Sequence, residues 1–168
     1  MKITVIGGGP GGLYFSILTK KAKPNWEITV YERNNPDDSF GFGVVFSDET
    51  LGEFLKRDMQ SYELIRSNFA YWDDIIVARD GQSVSVAGNG FCGCSRKTLL
   101  QLLHQRCREE GVNLHFEQNV DDLEQFSNSD IIVACDGIGS QIRTQFQENF
   151  GTQITLKKNR FVWLGSTK

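Results

Sequence analysis

The sequence has no basic excess and no basic block. Its 18 lysines and arginines face 21 aspartates and glutamates, a net charge of −3, which leaves no electrostatic footprint for nucleic acid. No apolar stretch approaches the roughly 18–20 residues that a membrane-spanning helix needs. The four cysteines, Cys92, Cys94, Cys107 and Cys135, lack the paired spacing of a metal site, so no metal is expected. Only two histidines occur, His104 and His115. Their helix and strand settings read as structural, and no catalytic acid, base or nucleophile is assigned. Internal repeats and low-complexity segments are absent. Met1 runs straight into a strand with no secretory leader, which makes a reduced, cytoplasmic protein the expectation. The length of 168 residues suits one ordinary domain with a real core.

What is present begins with the first turn. Gly7-Gly8-Gly9-Pro10-Gly11-Gly12 follows the apolar run Ile3-Thr4-Val5-Ile6 and leads into Leu13-Tyr14-Phe15-Ser16-Ile17-Leu18. Gly7, Gly9 and Gly12 fit the pattern G-x-G-x-x-G. A dinucleotide site needs a tight turn, a backbone that approaches pyrophosphate with no Cβ in the way, and a helix start whose N–H groups and dipole favour an anion. Pro10 suits a first helical position, where its missing donor is not used. A second strand signal, Trp26 to Glu32, ends in an acid 20 residues beyond Gly12. That is the separation expected of a carboxylate accepting from the adenosine ribose hydroxyls. An ordinary glycine turn with a solvated Glu32 is the alternative.

Further along, a helix is predicted from Pro10 to Lys21, then a long loop from Arg33 to Ser47 rich in Asn, Asp, Pro and Gly, with Val44-Val45-Phe46 buried on something. Ser47 is expected to cap a short helix with acids in its first turn, and Met59 to Ser67 a second helix. Tyr71–Val77 and Ser83–Ala87 read as a hairpin about Arg79-Asp80-Gly81-Gln82, an antiparallel insertion in a parallel α/β winding. The clearest helix opens at Cys94-Ser95-Arg96 and ends at Gly111, a natural C′ residue. Arg96 at a helix start opposes the dipole, so either a nearby anion or plain solvation accounts for it. Val112–Phe116 reads as a strand, and the four apolar residues Ile131–Ala134 as another, buried one. After the second, Asp136-Gly137 makes a sharp turn and Ser140 caps a short helix carrying Arg143. An acid and a glycine there lie on the edge where parallel sheets bind ligands, although Asp-Gly turns are also common without function.

Gly7 to Gly12 with Glu32-Arg33, the Arg96-x-x-Leu99 helix start and the Asp136-Gly137 segment, in that order, together resemble the single-component, FAD-dependent aromatic hydroxylases of the para-hydroxybenzoate hydroxylase type. The stretch Gly41 to Leu51 is similar to the salicylyl-CoA and 2-aminobenzoyl-CoA hydroxylase branch. The violacein-pathway tryptophan-derivative hydroxylases share the start of that stretch and an ending like Asn159 to Thr167. The resemblance covers essentially the whole chain.

It implies a three-layer, Rossmann-like FAD/NAD(P)-binding fold over residues 1–160, with 161–168 the start of a substrate-domain strand. By resemblance, the turn from Gly7 through Gly9, Pro10 and Gly11 to Gly12 holds the FAD pyrophosphate, and Glu32, followed by Arg33, serves the adenosine ribose. Arg96 would meet the phosphate-ribose region, and Asp136 with Gly137 both the pyrophosphate and NAD(P)H. The implied activity is NAD(P)H-dependent hydroxylation of an aromatic ring, an aromatic acyl-CoA being one candidate, with the redox chemistry supplied by the flavin. Ala134-Cys135 replaces a more usual Gly-Ala, and Gly11 a common Ala. A third family motif, a Gly-Asp pair for the ribityl chain, and the substrate-covering sheet both lie beyond this length. The expectation is therefore a fragment or a truncated product, with self-association through apolar surface at Phe161-Val162-Trp163. A nicotinamide-dependent oxidoreductase and a non-catalytic nucleotide-binding remnant are the rival classes.

Overall fold

The computed structural model describes residues 1–162 and 164 and divides into two compact units, one of residues 1–36 and 107–168 and one of residues 37–106.

The first unit opens with β1 (Lys2–Ile6), whose Ile3, Thr4, Val5 and Ile6 are all buried. A run with both faces covered belongs inside a parallel sheet. The helix α1 (Pro10–Ala22) follows, burying Gly12, Leu13, Ser16 and Ile17 on one side. β2 (Glu27–Tyr31) then pairs parallel with β1, Lys2 opposite Glu27 and Ile6 opposite Tyr31. This is the strand, helix, parallel strand unit that the spacing predicts.

The second unit contains β3 (Gly43–Ser47), α2 (Asp48–Arg57), α3 (Met59–Arg66), β4 (Ala70–Trp72), β5 (Ile75–Arg79), β6 (Gln82–Val86) and β7 (Phe91–Ser95). The unit boundary falls inside α4 (Arg96–Glu110). Ser47 caps α2 by accepting from the Thr50 N–H at 3.3 Å, with Asp48 and Glu49 in the first turn. Ser95 does the same for α4, accepting from the Thr98 N–H at 3.0 Å.

Two expectations are corrected here. The predicted loop from Arg33 to Ser47 ends in a strand, because Val44, Val45 and Phe46 pair antiparallel with Cys94, Gly93 and Cys92. The predicted first hairpin strand is two pieces. β4 pairs with β7, while β5 pairs with β6, Ile75 opposite Val86 and Arg79 opposite Gln82. The resulting three-stranded sheet has the order β3-β7-β4, and β5-β6 is a separate ribbon.

Back in the first unit, Gly111 leaves α4 with φ +81° and the Val112 N–H reaches the Cys107 carbonyl at 2.8 Å, a helix ending that needs glycine. β8 (Asn113–His115), β9 (Ile131–Ala134), α5 (Gln141–Gln145) and α6 (Gln147–Phe150) complete the unit. The sheet order is β8-β2-β1-β9, all parallel. Phe126 from a 3-10 turn and Ile142 from α5 pack with Ile6, flanked by Tyr31, Val120, Leu123, Ile132 and Phe146. No strand includes Phe161, Val162 or Leu164, and the rest of the expected 161–168 strand, Trp163 and 165–168, lies outside the described residues. No helix among the described residues is long and apolar enough to cross a membrane.

Candidate functional site

The carboxyl ends of β1, β2 and β9 bring the glycine turn, Glu32 and the Asp136-Gly137 segment together on one edge of the parallel sheet. The turn is built from glycines with different duties. Gly7 has φ +108°, and a Cβ there would lie 2.2 Å from the Cys135 carbonyl oxygen. Its N–H donates to the Tyr31 carbonyl at 2.8 Å, which ties the turn to β2. A Cβ on Gly12 would lie 2.2 Å from the Gly7 carbonyl oxygen. These two glycines make the strand-to-helix connection close. Gly9 and Gly11 differ, since a Cβ on either meets nothing within 4 Å.

Gly9 is also the N-cap of α1, and no side chain caps the helix there. The first-turn N–H groups, with Pro10 contributing none, are left to solvent or to an anion. An uncapped helix start under an open glycine face fits a pyrophosphate, and the donors are backbone groups that a tight turn already holds in place.

Glu32 is half-buried, and its carboxylate is held from both sides. Oε2 accepts from the Gly8 N–H at 2.7 Å. Oε1 accepts from the Asn34 N–H at 2.9 Å and from Asn34 Nδ2 at 2.6 Å. A Cβ on Gly8 would come within 2.9 Å of the Glu32 Cβ, so this glycine lets the acid close on the turn. The Glu32 backbone is fixed as well, its N–H donating to the His115 carbonyl at 2.8 Å and its carbonyl accepting from the Gln118 N–H at 2.9 Å. His115 stacks on Tyr31 with ring centroids 5.1 Å apart.

Asp136 follows β9, and its Oδ2 accepts from the Ile142 N–H at 3.3 Å. Gly137 has φ +86° and open space where a side chain would stand. Ser140 caps α5, accepting from the Arg143 N–H at 2.9 Å, and the Arg143 guanidinium donates to the Ile138 carbonyl. Burial first, and then the neighbouring Asp136 charge, push the Cys135 thiol up, which keeps it neutral beside the turn.

Arg33 and Arg96 lie outside these three segments in the sequence of elements. Arg33 is exposed just after β2. Arg96 belongs to the second unit, where it starts α4 and its N–H donates to the Phe42 carbonyl at 3.0 Å. Gly8, Asn34 and the Cys135 carbonyl were not anticipated. Gly8 lay in plain view within the glycine run. Asn34 had only its distance of two residues from the acid to mark it.

A parallel sheet with a glycine turn, an uncapped helix start and a held acid is the arrangement of the dinucleotide-binding α/β fold. The sequence profile of the lycopene cyclase protein family matches residues 2–148, and the chain belongs to that family. A match through a nucleotide-binding fold carries ancestry, and the reaction in the family's name does not travel with it. Individual relatives point elsewhere. The chain is 44% identical over 167 residues to salicyloyl-CoA 5-hydroxylase of a Streptomyces species, covering 99% of this chain and 32% of the relative. It is 32% identical to the 3-hydroxy-4-methyl-anthranilyl-[aryl-carrier protein] 5-monooxygenase of Streptosporangium sibiricum, covering 100% and 47%. Protodeoxyviolaceinate monooxygenase of Chromobacterium violaceum is 29% identical, with coverage of 100% and 46%.

The resemblance to aromatic hydroxylases is thus borne out, in both branches. Among solved structures, tetrameric 2-methyl-3-hydroxypyridine-5-carboxylic acid oxygenase superposes with a TM-score of 0.73 at 21% identity, covering 86% of this chain and 42% of that one. At that identity the likeness supports the fold alone. The chain spans between about a third and about half of the length of these curated relatives.

Proposed function

We propose that the chain binds FAD through its ADP half and serves as the dinucleotide-binding part of an NAD(P)H-dependent flavoprotein monooxygenase acting on an aromatic substrate. The observation that carries the reading is the pairing of the open Gly9 face at the uncapped start of α1 with a carboxylate held at the end of β2. In this proposal the backbone from Gly9 to Gly12 binds the pyrophosphate, Glu32 orients the adenosine ribose, and Asp136 with Gly137 lies along the pyrophosphate. When bound, FAD supplies the redox and oxygen chemistry, while these residues bind and orient. The identity to a salicyloyl-CoA hydroxylase favours an aromatic acyl-CoA thioester as the substrate class.

The test is titration of the purified chain with FAD, ADP and NADH while following tryptophan fluorescence. FAD and ADP should bind with comparable affinity, and Glu32→Ala should weaken both by about 1.5–3 kcal/mol, the range for hydrogen bonds to a charged group. An unchanged Kd would mean that Glu32 serves the loop alone. Binding of NADH without FAD would replace this reading with that of a nicotinamide-dependent oxidoreductase.

A further inference from the structure

We infer that Asn34 is an affinity- and selectivity-determining residue of the ribose site, because its side chain occupies an acceptor position on Glu32 that a vicinal diol would need. The inference rests on the proposed nucleotide binding at this edge. A carboxylate offers about four lone-pair positions, about two on each oxygen. Oε1 has both of its own filled by Asn34, from the backbone N–H at 2.9 Å and from Nδ2 at 2.6 Å. Oε2 holds one donor, the Gly8 N–H at 2.7 Å, and keeps one position open.

A ribose bound through both hydroxyls asks for one position on each oxygen. The first hydroxyl enters on Oε2 without displacing anything. The second must take the place of one of the Asn34 donors on Oε1. The backbone N–H is not free to leave, since the Glu32 carbonyl is held by the Gln118 N–H at 2.9 Å and the Asn34 carbonyl by the Glu117 N–H at 3.2 Å. Nδ2 is the mobile donor, because rotation about the side chain releases it. Asn34 therefore takes a position that one hydroxyl needs and opposes the binding of the full diol.

The prediction runs against the usual direction for a mutation beside a site. Asn34→Ala and Asn34→Leu both lack the donor but differ in bulk. Each should tighten ADP binding about threefold to tenfold, the worth of one net hydrogen bond. Binding of 2′-deoxy-ADP, which needs only the open position, should stay within about twofold, the residue of non-additive coupling at one site. The ratio of the two affinities is the readout, measured by calorimetric titration of the 168-residue chain, with thermal melts confirming that each variant is folded. Tighter binding of ADP alone in both variants supports the inference. An ADP affinity that is unmoved or weakened, or that shifts equally with 2′-deoxy-ADP, overturns it while leaving the cofactor reading in place. Failure of the parent chain to bind either nucleotide or FAD overturns both.

Discussion

A methyl group added at Gly12 and one added at Gly9 probe two separate demands of the same turn. At Gly12 it would lie 2.2 Å from the Gly7 carbonyl oxygen, and at Gly7 2.2 Å from the Cys135 carbonyl oxygen, so either change must push backbone aside. Gly7 carries the further burden of φ +108°. Each should cost on the order of 1–3 kcal/mol of stability, as overpacking does. Gly9 has an extended backbone, φ −72° and ψ 172°, that any residue adopts, and open space around its Cβ position. Gly9→Val should therefore melt close to the parent yet lose affinity for ADP and FAD, since the branched side chain would fill the open face proposed for the pyrophosphate. Thermal melts alongside the titrations separate the two cases. If Gly9→Val melts as low as Gly12→Ala, the division of labour within the turn is wrong.

At the scale of elements, the second unit is pinned by a buried charge pair between the junction of α2 and α3 and the body of α4. The Asp58 and Arg106 side chains are 0% and 5% exposed, with Arg106 3.5 Å from Asp58 and 2.9 Å from the Gln60 side-chain oxygen. Ser61 donates a further hydrogen bond to Asp58 at 2.5 Å. Removing one partner leaves a charge buried against a lost counter-charge, so Asp58→Ala should cost about 3–5 kcal/mol in urea unfolding, whereas a fully hydrophobic replacement of the pair need not. A loss under about 1 kcal/mol would place the pair within reach of solvent.

None of this was legible in the sequence, because Asp58 and Arg106 are 48 positions apart and nothing local links them. What was legible is local. The helix α1, the Ser47 cap, Gly111 and the order strand, turn, helix, strand and acid each follow from spacing or from a single residue's backbone preference. β3 and β7 were missed for the opposite reason. Gly43–Ser47 and Phe91–Ser95 carry glycine and polar residues that read as loop, and each becomes a strand only through pairing with the other. At the site, the glycines and Glu32 were legible as a motif. The donors that fill Glu32 were not, since a hydrogen bond from Asn34 depends on the path of the chain after β2.

The chain spans between about a third and about half of the length of these curated relatives, and large apolar side chains are exposed on it in two places. The β5-β6 ribbon is the clearest case. Ile75 sits opposite Val86 and Val77 opposite Val84, so four β-branched residues share one face, at 39%, 44%, 57% and 62% exposure respectively. A two-stranded ribbon with an uncovered apolar face is marginal in water on its own. The later segment adds Ile154, Leu156, Phe161 and Val162, all exposed, while Trp163 lies outside the described residues. Exposed apolar patches drive association. We therefore expect the chain to self-associate with rising concentration in sedimentation velocity and to bind a hydrophobic dye while folded. Replacing the central cross-strand pair with opposite charges, Val77→Lys with Val84→Glu, keeps a favourable pair across the ribbon while removing the apolar centre of the face. The double variant should sediment as monomer over the same range and keep the ADP affinity of the parent, since neither residue belongs to the nucleotide edge. Equal self-association in the parent and the double variant would shift the sticky surface to the segment after Phe150, and a parent that stays monomeric throughout would remove the ribbon face as an association surface altogether.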